Sequence, residues 1–359
     1  MSWDNVSAVH TIKIWTDYSD STQGHLFVND NHQLKLYAGI DFDLNAGTTE
    51  GPTDDEVRSA ITLVNNINGG PLKYLTIVDK NSYNAVYDPY HTQAVDQDDT
   101  SNVDDGVYDN VITFYVSSPL SVNAEAYSES VALTLEYHGT NPDGTAKDIF
   151  VDTSAAAEKG GFATSVSVVC YPAKLYGNKG ENRTCITYSS TEVAEDDCWD
   201  VDDGHYNHDN DQFHVIRFYI DDPYFKLFYF DGCTEPDSSV VHNPYYRYRE
   251  YIQGNPQYDH LYNAFFPNVR CNNSEPTLDF DTKIAVRPDD NGMIAVTENI
   301  TVHQKQNQIT FIGARTTVKS CDITDKSTYV YLRVYDQFGN SAYVIAFSNA
   351  DDALVKSVS

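Results

Sequence analysis

The stretch VDDGVYDNVITFYV, residues 103–116, shows how the chain is organised, because a second version of it, VDDGHYNHDNDQFHVIRFYI, occupies residues 201–220. Each version is an acidic turn followed by β-branched and aromatic residues, which is typical of a loop that leads into a strand. The two versions lie about a hundred residues apart, and a repeat of that length indicates tandem modules.

Alternating apolar and polar residues extend this strand pattern in both directions. They predict strands at 11–17, 26–28, 34–37, 75–78 and 309–315, and a closing hairpin between 330–335 and 342–347. A module of this length with short strands and polar turns has the size of an immunoglobulin-like β-sandwich. We therefore expect an all-β protein of about three tandem immunoglobulin-like modules. They span 1–110, 111–214 and 215–359, the last with an aromatic insertion and the C-terminal hairpin.

One short helix is expected in the first module. Thr53 can cap its start, with Glu56 as the partner of a capping box. The predicted apolar face of this helix consists of Val57, Ala60, Ile61, Val64 and Ile67. The two glycines at 69–70 supply its end.

Composition and charge exclude several classes of function. Hydrophobic residues make up 41% of the 359 residues, so the chain can fold, and its net charge of −30 repels nucleic acid and anionic membranes. No apolar run is long enough to span a membrane, and no signal peptide is visible. We expect an extracellular, particle-surface or cell-surface protein exported by another route, with a cytoplasmic location as the alternative.

The acidic turns are candidate calcium sites, because Ca²⁺ prefers several carboxylate oxygens on a flexible loop. The expected ligands are Asp98, Asp104, Asp105, Asp202 and Asp203. The spacing does not fit an EF-hand, and the alternative is that these carboxylates are simply solvated. No other cofactor is indicated.

An aromatic and basic stretch is the candidate binding site. It contains Tyr245, Tyr246, Arg247, Tyr248, Arg249 and Tyr251. Tyrosine and arginine together are favoured at interfaces, so this stretch is a candidate for binding a glycan or a protein receptor. The alternative is core packing beneath a long insertion.

The six cysteines all follow residue 169, and no CxxC pair is present, which argues against a structural zinc site. Cys170 and Cys185 flank a predicted turn and are the first candidates for a disulfide. Free buried thiols are the alternative.

No catalytic motif such as GxSxG, HExxH or a phosphate-binding glycine loop is present, so we do not expect an enzyme. The modules resemble the immunoglobulin-like building blocks of bacterial adhesins and phage tail fibres, in pattern and in the turn at 336–340 that precedes a strand. We expect a structural or adhesive protein that forms a homo-oligomer or a larger assembly, such as a fibre, tail or surface layer. The alternatives are a secreted toxin with receptor-binding or glycan-binding modules, and a glycan-active enzyme with β accessory modules.

Overall fold

The computed structural model describes residues 2–18, 22–90, 108–119, 126–141, 143–157, 162–177, 184–192, 212–233, 241–242, 245–252, 259–267, 277–285, 288–289, 292–293, 297–305, 307–318 and 330–346. After residue 183, side chains are described only at 184, 186–187, 217–230, 307–309 and 333–343. Strands dominate the described residues, so the chain is all-β, as the sequence predicts.

The chain divides into two compact units. The first consists of Met1–Lys174 together with Phe338–Asn340, and the second of Leu175–Gln337 together with Ser341–Ser359. In the first unit a 3-10 helix, Ser2–Asn5, precedes β1 (Val6–Thr16), β2 (Gln23–Val28), β3 (Leu34–Leu44), α1 (Asp54–Ala60), β4 (Ile61–Asn65), β5 (Thr76–Val78), β6 (Asn110–Ser117), β7 (Tyr127–Thr140), β8 (Ala146–Asp152) and β9 (Val166–Pro172).

Two sheets build the first unit. One is antiparallel with the order β1-β3-β6-β5, and the other has the order β2-β9-β7-β4 with β8 also paired to β7. Strand β6 is the run that follows the first acidic turn, and its alternate residues Ile112, Phe114 and Val116 are buried. This period of two gives each strand one apolar face.

The apolar faces of both sheets meet in one core. Ile14, Leu36 and Phe114 come from the first sheet, and Leu133 and Val168 from the second, and all belong to a single cluster of buried side chains. Each large aliphatic side chain removed from water in this way contributes about 1.5–3 kcal/mol to folding. The shared core therefore stabilises the strands on both sides of residue 110 as one unit.

Helix α1 begins as predicted but ends early. The Thr53 side chain accepts a hydrogen bond from the Glu56 amide, and the Glu56 carboxylate accepts one from the Thr53 amide, which confirms the capping box. The predicted continuation beyond Ala60 is wrong, because residues 61–65 form β4 and pair with β7. A run of β-branched and leucine side chains is stabilised better by this sheet than by an isolated helical turn. Ile67, predicted on the apolar face of the helix, is 76% exposed.

The second unit contains β10 (Tyr176–Gly177), β11 (Thr184–Glu192), β12 (Gln212–Ile220), β13 (Leu227–Cys233), β14 (Val241–His242), β15 (Tyr245–Ile252), β16 (Asp259–Pro267), β17 (Thr277–Ala285), β18 (Pro288–Asp289), β19 (Gly292–Met293), β20 (Thr297–Lys305), β21 (Ile309–Val318), β22 (Val330–Asp336) and β23 (Ser341–Ala346). Seven strands form one sheet in the order β10-β11-β12-β21-β16-β15-β14, and three form another in the order β13-β22-β23. Strands β17 and β20 pair separately, as do β18 and β19. The β22–β23 pairing confirms the predicted hairpin.

The observed division starts the second unit at Leu175, and β6, at the expected boundary near residue 110, pairs with β3 and β5. Three modules with boundaries near 110 and 214 stay a prediction. Within the described part of the chain, no helix has the length and apolar character needed to cross a membrane.

Candidate functional site

The predicted aromatic site lies on β15. This strand pairs along its whole length with β16 and, at Tyr245 and Tyr246, also with β14. The side chains of Tyr245, Tyr246, Arg247, Tyr248, Arg249 and Tyr251 lie outside the described part of the structure. A binding role for them stays a prediction.

The predicted calcium ligands also lie outside the described residues. They are Asp98, Asp104, Asp105, Asp202 and Asp203. Among the residues that the structure does describe, no group of three or more His, Cys, Asp or Glu side chains is arranged to hold a metal ion. Calcium binding by the acidic turns therefore stays a prediction as well.

The expected disulfide between Cys170 and Cys185 is wrong, because Cys170 is a free, fully buried cysteine. Its side chain belongs to the core of the first unit, in alternation with Val168 on β9. Burial raises the pKa of the Cys170 thiol to about 12, and a nearby hydrogen bond from Tyr127 opposes this only in part. The thiol therefore behaves as a small apolar core residue.

An open groove of about 520 Å³ lies at one edge of the first sheet, and we call it the edge groove. It is lined by Arg58, Ile77, Val78, Asp79, Lys80, Thr113, Phe114 and Tyr115. The groove forms because β5 is only three residues long and its pairing with β6 ends where Val78 lies opposite Tyr115. Strand β6 starts five residues before that point, so its first part has no β5 beside it.

Arg58, near the end of α1, lies against the part of the β6 edge that does not pair with β5. Its Nη2 donates a 2.8 Å hydrogen bond to the carbonyl oxygen of Thr113, and its guanidinium carbon lies 5.2 Å from the centroid of the Phe114 ring. A carbonyl at the edge of a sheet needs a donor when no strand supplies one. The guanidinium fills this role and places a positive charge in the groove.

Lys80 and Ile77 give the edge groove a second cation and an exposed apolar side chain. The Nζ of Lys80 lies 6.0 Å from the centroid of the Tyr115 ring, and the side chain is exposed. Asp79 is the one carboxylate among the lining residues, so two cations outnumber it. Ile77 is 48% exposed and adds an apolar surface at the outer side of β5. The groove is thus a positive and partly apolar site in a chain with a net charge of −30.

Glu129, a buried carboxylate on β7, holds the segment that leads into β5. Its Oε1 accepts hydrogen bonds from the amides of Lys73 (2.7 Å) and Asn65 Nδ2 (3.0 Å). Its Oε2 accepts from the backbone amides of Tyr74 (2.8 Å) and Leu75 (3.2 Å). A carboxylate that accepts several backbone N–H groups makes strong, charge-assisted hydrogen bonds. The position of β5, and with it the edge groove, therefore depends on a residue of the other sheet.

A second groove, of about 460 Å³, lies beside α1 and is acidic. Its lining includes Glu56, Glu136, Tyr137 and Trp3, whose ring stacks on that of Tyr137 with centroids 4.6 Å apart. His138 contacts two carboxylates here, Asp148 at 2.7 Å and Glu136 at 2.8 Å, and these hydrogen bonds raise the pKa of its imidazole. Of these two grooves, only the edge groove has more cationic than anionic side chains in its lining.

A buried polar cluster holds the segment Phe338–Asn340 in the first unit. The Asn29 Nδ2 donates to the Phe338 carbonyl oxygen (3.0 Å) and to the Asn340 Oδ1 (2.9 Å). The Asn29 Oδ1 accepts from the backbone amide of His32 at 2.8 Å, which closes the turn after β2. Gly339 has a φ of +75°, and a Cβ there would lie 2.4 Å from the Cβ of Asn31. Asn29 therefore holds this segment with its Nδ2 and shapes the turn after β2 with its Oδ1.

His32 lies at the centre of that cluster and is fully buried. Its Nδ1 accepts a hydrogen bond from the Phe27 amide (2.9 Å), so the hydrogen is on Nε2, which donates to the Ala85 carbonyl oxygen (3.0 Å). Burial lowers the pKa of His32 to about 4, although the bond to Ala85 favours the charged form. Because both ring nitrogens are satisfied inside the protein, His32 has a structural role in the neutral state.

Sequence reasoning did not single out Arg58, Ile77 or Lys80. Arg58 lies in the predicted helix and Ile77 in the predicted strand 75–78. The sequence therefore predicts both elements, but it does not predict that they lie next to each other. The available signal was charge, because a basic residue within a strongly acidic chain is a candidate for a specific contact.

Comparison with models of protein families gives no match to this chain. A search of curated proteins also gives no match. The function is therefore inferred from the edge groove and from the sequence.

Proposed function

We propose that this chain is a non-enzymatic structural or adhesive β-protein, and that it self-associates through the edge groove as a subunit of an extracellular or particle-associated assembly such as a fibre, tail or surface layer. The observation that carries the proposal is the open end of the first sheet, where β5 stops at Val78 while β6 continues beside Arg58. Among the described residues no strand pairs with the first part of this β6 edge, and a sheet edge that another strand does not cover is a common route to association between chains.

The surface chemistry of the groove favours a second copy of this chain as the partner. Its exposed Ile77 offers apolar contact, and Arg58 and Lys80 complement an acidic surface. With 53 Asp and Glu residues against 23 Lys and Arg residues, any other copy presents such a surface. Tandem immunoglobulin-like modules, supported by the repeated turn-and-strand stretch, belong to this proposal as well.

Light scattering after size-exclusion chromatography, followed by negative-stain microscopy, tests the proposal. The series should run from about 20 mM to about 500 mM NaCl, because the net charge repels other copies at low salt while high salt screens the groove. We expect oligomers or filaments at intermediate salt. An Ile77→Lys variant should associate less, because a charged residue on an edge opposes pairing.

Ile67→Lys is the matched control, because Ile67 is also an exposed isoleucine of the first unit but lies outside the groove lining. It should associate like the unmodified chain. A chain that stays monomeric across the whole salt series would overturn the proposal. Equal loss of association in both variants would show that the edge groove is not the contact.

A further inference from the structure

The edge groove selects the chemistry of its occupant. Both of its cations lie over aromatic rings, Arg58 at 5.2 Å from the Phe114 centroid and Lys80 at 6.0 Å from the Tyr115 centroid. An anionic partner gains from both charges, and a cationic partner is repelled by both. The exposed Ile77 adds a contact that favours a polypeptide with apolar side chains over a simple ion.

The shape of the groove favours an extended segment. Beyond Val78, no described strand pairs with this side of β6; the Arg58 side chain lies against Thr113, and Lys80 lies over Tyr115, where the β5 pairing ends. An extended peptide laid along a strand edge gains main-chain hydrogen bonds and presents alternate side chains to one side. The occupant should therefore carry carboxylates at alternate positions with apolar residues nearby.

The chain itself contains a segment of this kind. Residues 95–105, VDQDDTSNVDD, hold five aspartates and two valines with no basic residue. When such a segment is extended, Asp96 and Asp98 point to the same side about 7 Å apart. We propose that the edge groove binds the acidic segment 95–105 of a second copy, an inference that rests on the proposed function and names the contact by which copies join.

Fluorescence anisotropy tests this contact directly. A labelled peptide of residues 93–107 is titrated with the full chain, beside the same peptide with asparagine in place of its five aspartates. We expect the acidic peptide to bind, and the neutral peptide to bind roughly tenfold more weakly, because the contact depends on charge. Binding of the acidic peptide should also weaken as salt rises.

Two variants of the full chain locate the binding site. Lys80→Glu should weaken peptide binding roughly three- to tenfold, the range expected for reversing one exposed charge. Lys13→Glu is the matched control, because its Nζ also lies 6.0 Å from an aromatic centroid, that of Trp15, on the opposite edge strand of the same sheet. This control should bind like the unmodified chain. Equal weakening by both variants would overturn the proposal, because it would show that the peptide is attracted by the positive charges of the protein in general and does not bind in the edge groove.

Failure of this contact can be told apart from failure of the proposed function. The titration is repeated with a chain carrying Asn at 96, 98, 99, 104 and 105, which removes competition from the chain's own segment. If the peptide binds neither chain while the protein still forms oligomers, the acidic segment is wrong and self-association stands. If the chain stays monomeric although the peptide binds in a Lys80-dependent way, the groove accepts acidic peptides, but the second copy as their source is overturned.

Discussion

Replacement of Glu129 by glutamine should destabilise the first unit and loosen β5. The carboxylate is 3% exposed and accepts four hydrogen bonds, three of them from the backbone amides of residues 73–75. Glutamine has almost the same shape but turns one acceptor oxygen into an NH₂ donor. That donor must face either the Lys73 amide and the Asn65 side chain or the amides of Tyr74 and Leu75.

The size of the effect follows from the number of donors that lose their acceptor. Hydrogen bonds to a charged group are worth about 1.5–3 kcal/mol each, and a buried donor left unsatisfied costs about 1–3 kcal/mol. Some relaxation of the loop at 73–75 will recover part of the loss. We therefore expect Glu129→Gln to lower the free energy of unfolding by about 2–4 kcal/mol, at the upper end of single substitutions.

Urea denaturation followed by circular dichroism measures the stability, and hydrogen exchange of residues 73–78 measures the local effect. Glu136→Gln, an exposed change on the same strand, is the control and should lie within about 0.5 kcal/mol of the unmodified chain. Faster exchange at 73–78 should accompany the loss of stability. A stability loss for Glu129→Gln no larger than that of the control, with unchanged exchange at these amides, would refute the anchoring role of this carboxylate.

Three other expectations concern the cores and the acidic turns. Phe338→Ala should lower the unfolding free energy by about 3–5 kcal/mol, because the ring is fully buried against Phe27 and His32, whereas Tyr343→Ala, at a 41% exposed position, should cost far less in the same denaturation assay. Since the pKa of His32 falls from 6.5 to about 4 in the folded state, the unfolded chain binds more protons between these values. Stability should be complete above pH 6.5 and decline toward pH 4 by up to about 1.4 kcal/mol per pH unit, and a His32→Gln variant should lack that part of the pH dependence in thermal melts. If the acidic turns bind calcium, millimolar Ca²⁺ should raise the melting temperature by roughly 2–4 °C and a chelator should reverse it, whereas no shift would contradict the calcium hypothesis.

Local patterns predicted the elements of the fold well. The capping box of Thr53 and Glu56 depends on residues three apart, and the alternation in 111–116 depends on neighbours two apart. Both signals involve only residues close in sequence, so these predictions do not depend on contacts with distant parts of the chain. The structure contains both, as α1 and β6.

Competition between local and distant partners explains the failures. Ile61 and Val64 fit the face of a helix, but β7 offers them strand partners more than sixty residues away. Cys170 and Cys185 are close in sequence, but the alternation of β9 directs the first thiol into the core of its own unit. In both cases the burial of an apolar side chain in a sheet outweighs the local signal.

The composition could not reveal the edge groove, because a net charge is a sum over the whole chain. A net charge of −30 describes the field far from the protein, and that field repels long polyanions such as nucleic acid. Within a Debye length, about 10 Å at 0.1 M salt, a ligand feels only the nearest charges. Arg58 and Lys80 are twenty-two positions apart, and the hydrogen bond to Thr113 together with the pairing of β5 to β6 places both in one groove. For this reason we expect a short acidic segment to bind in the groove more readily than a long polyanion, because the short segment meets less repulsion from the remaining surface.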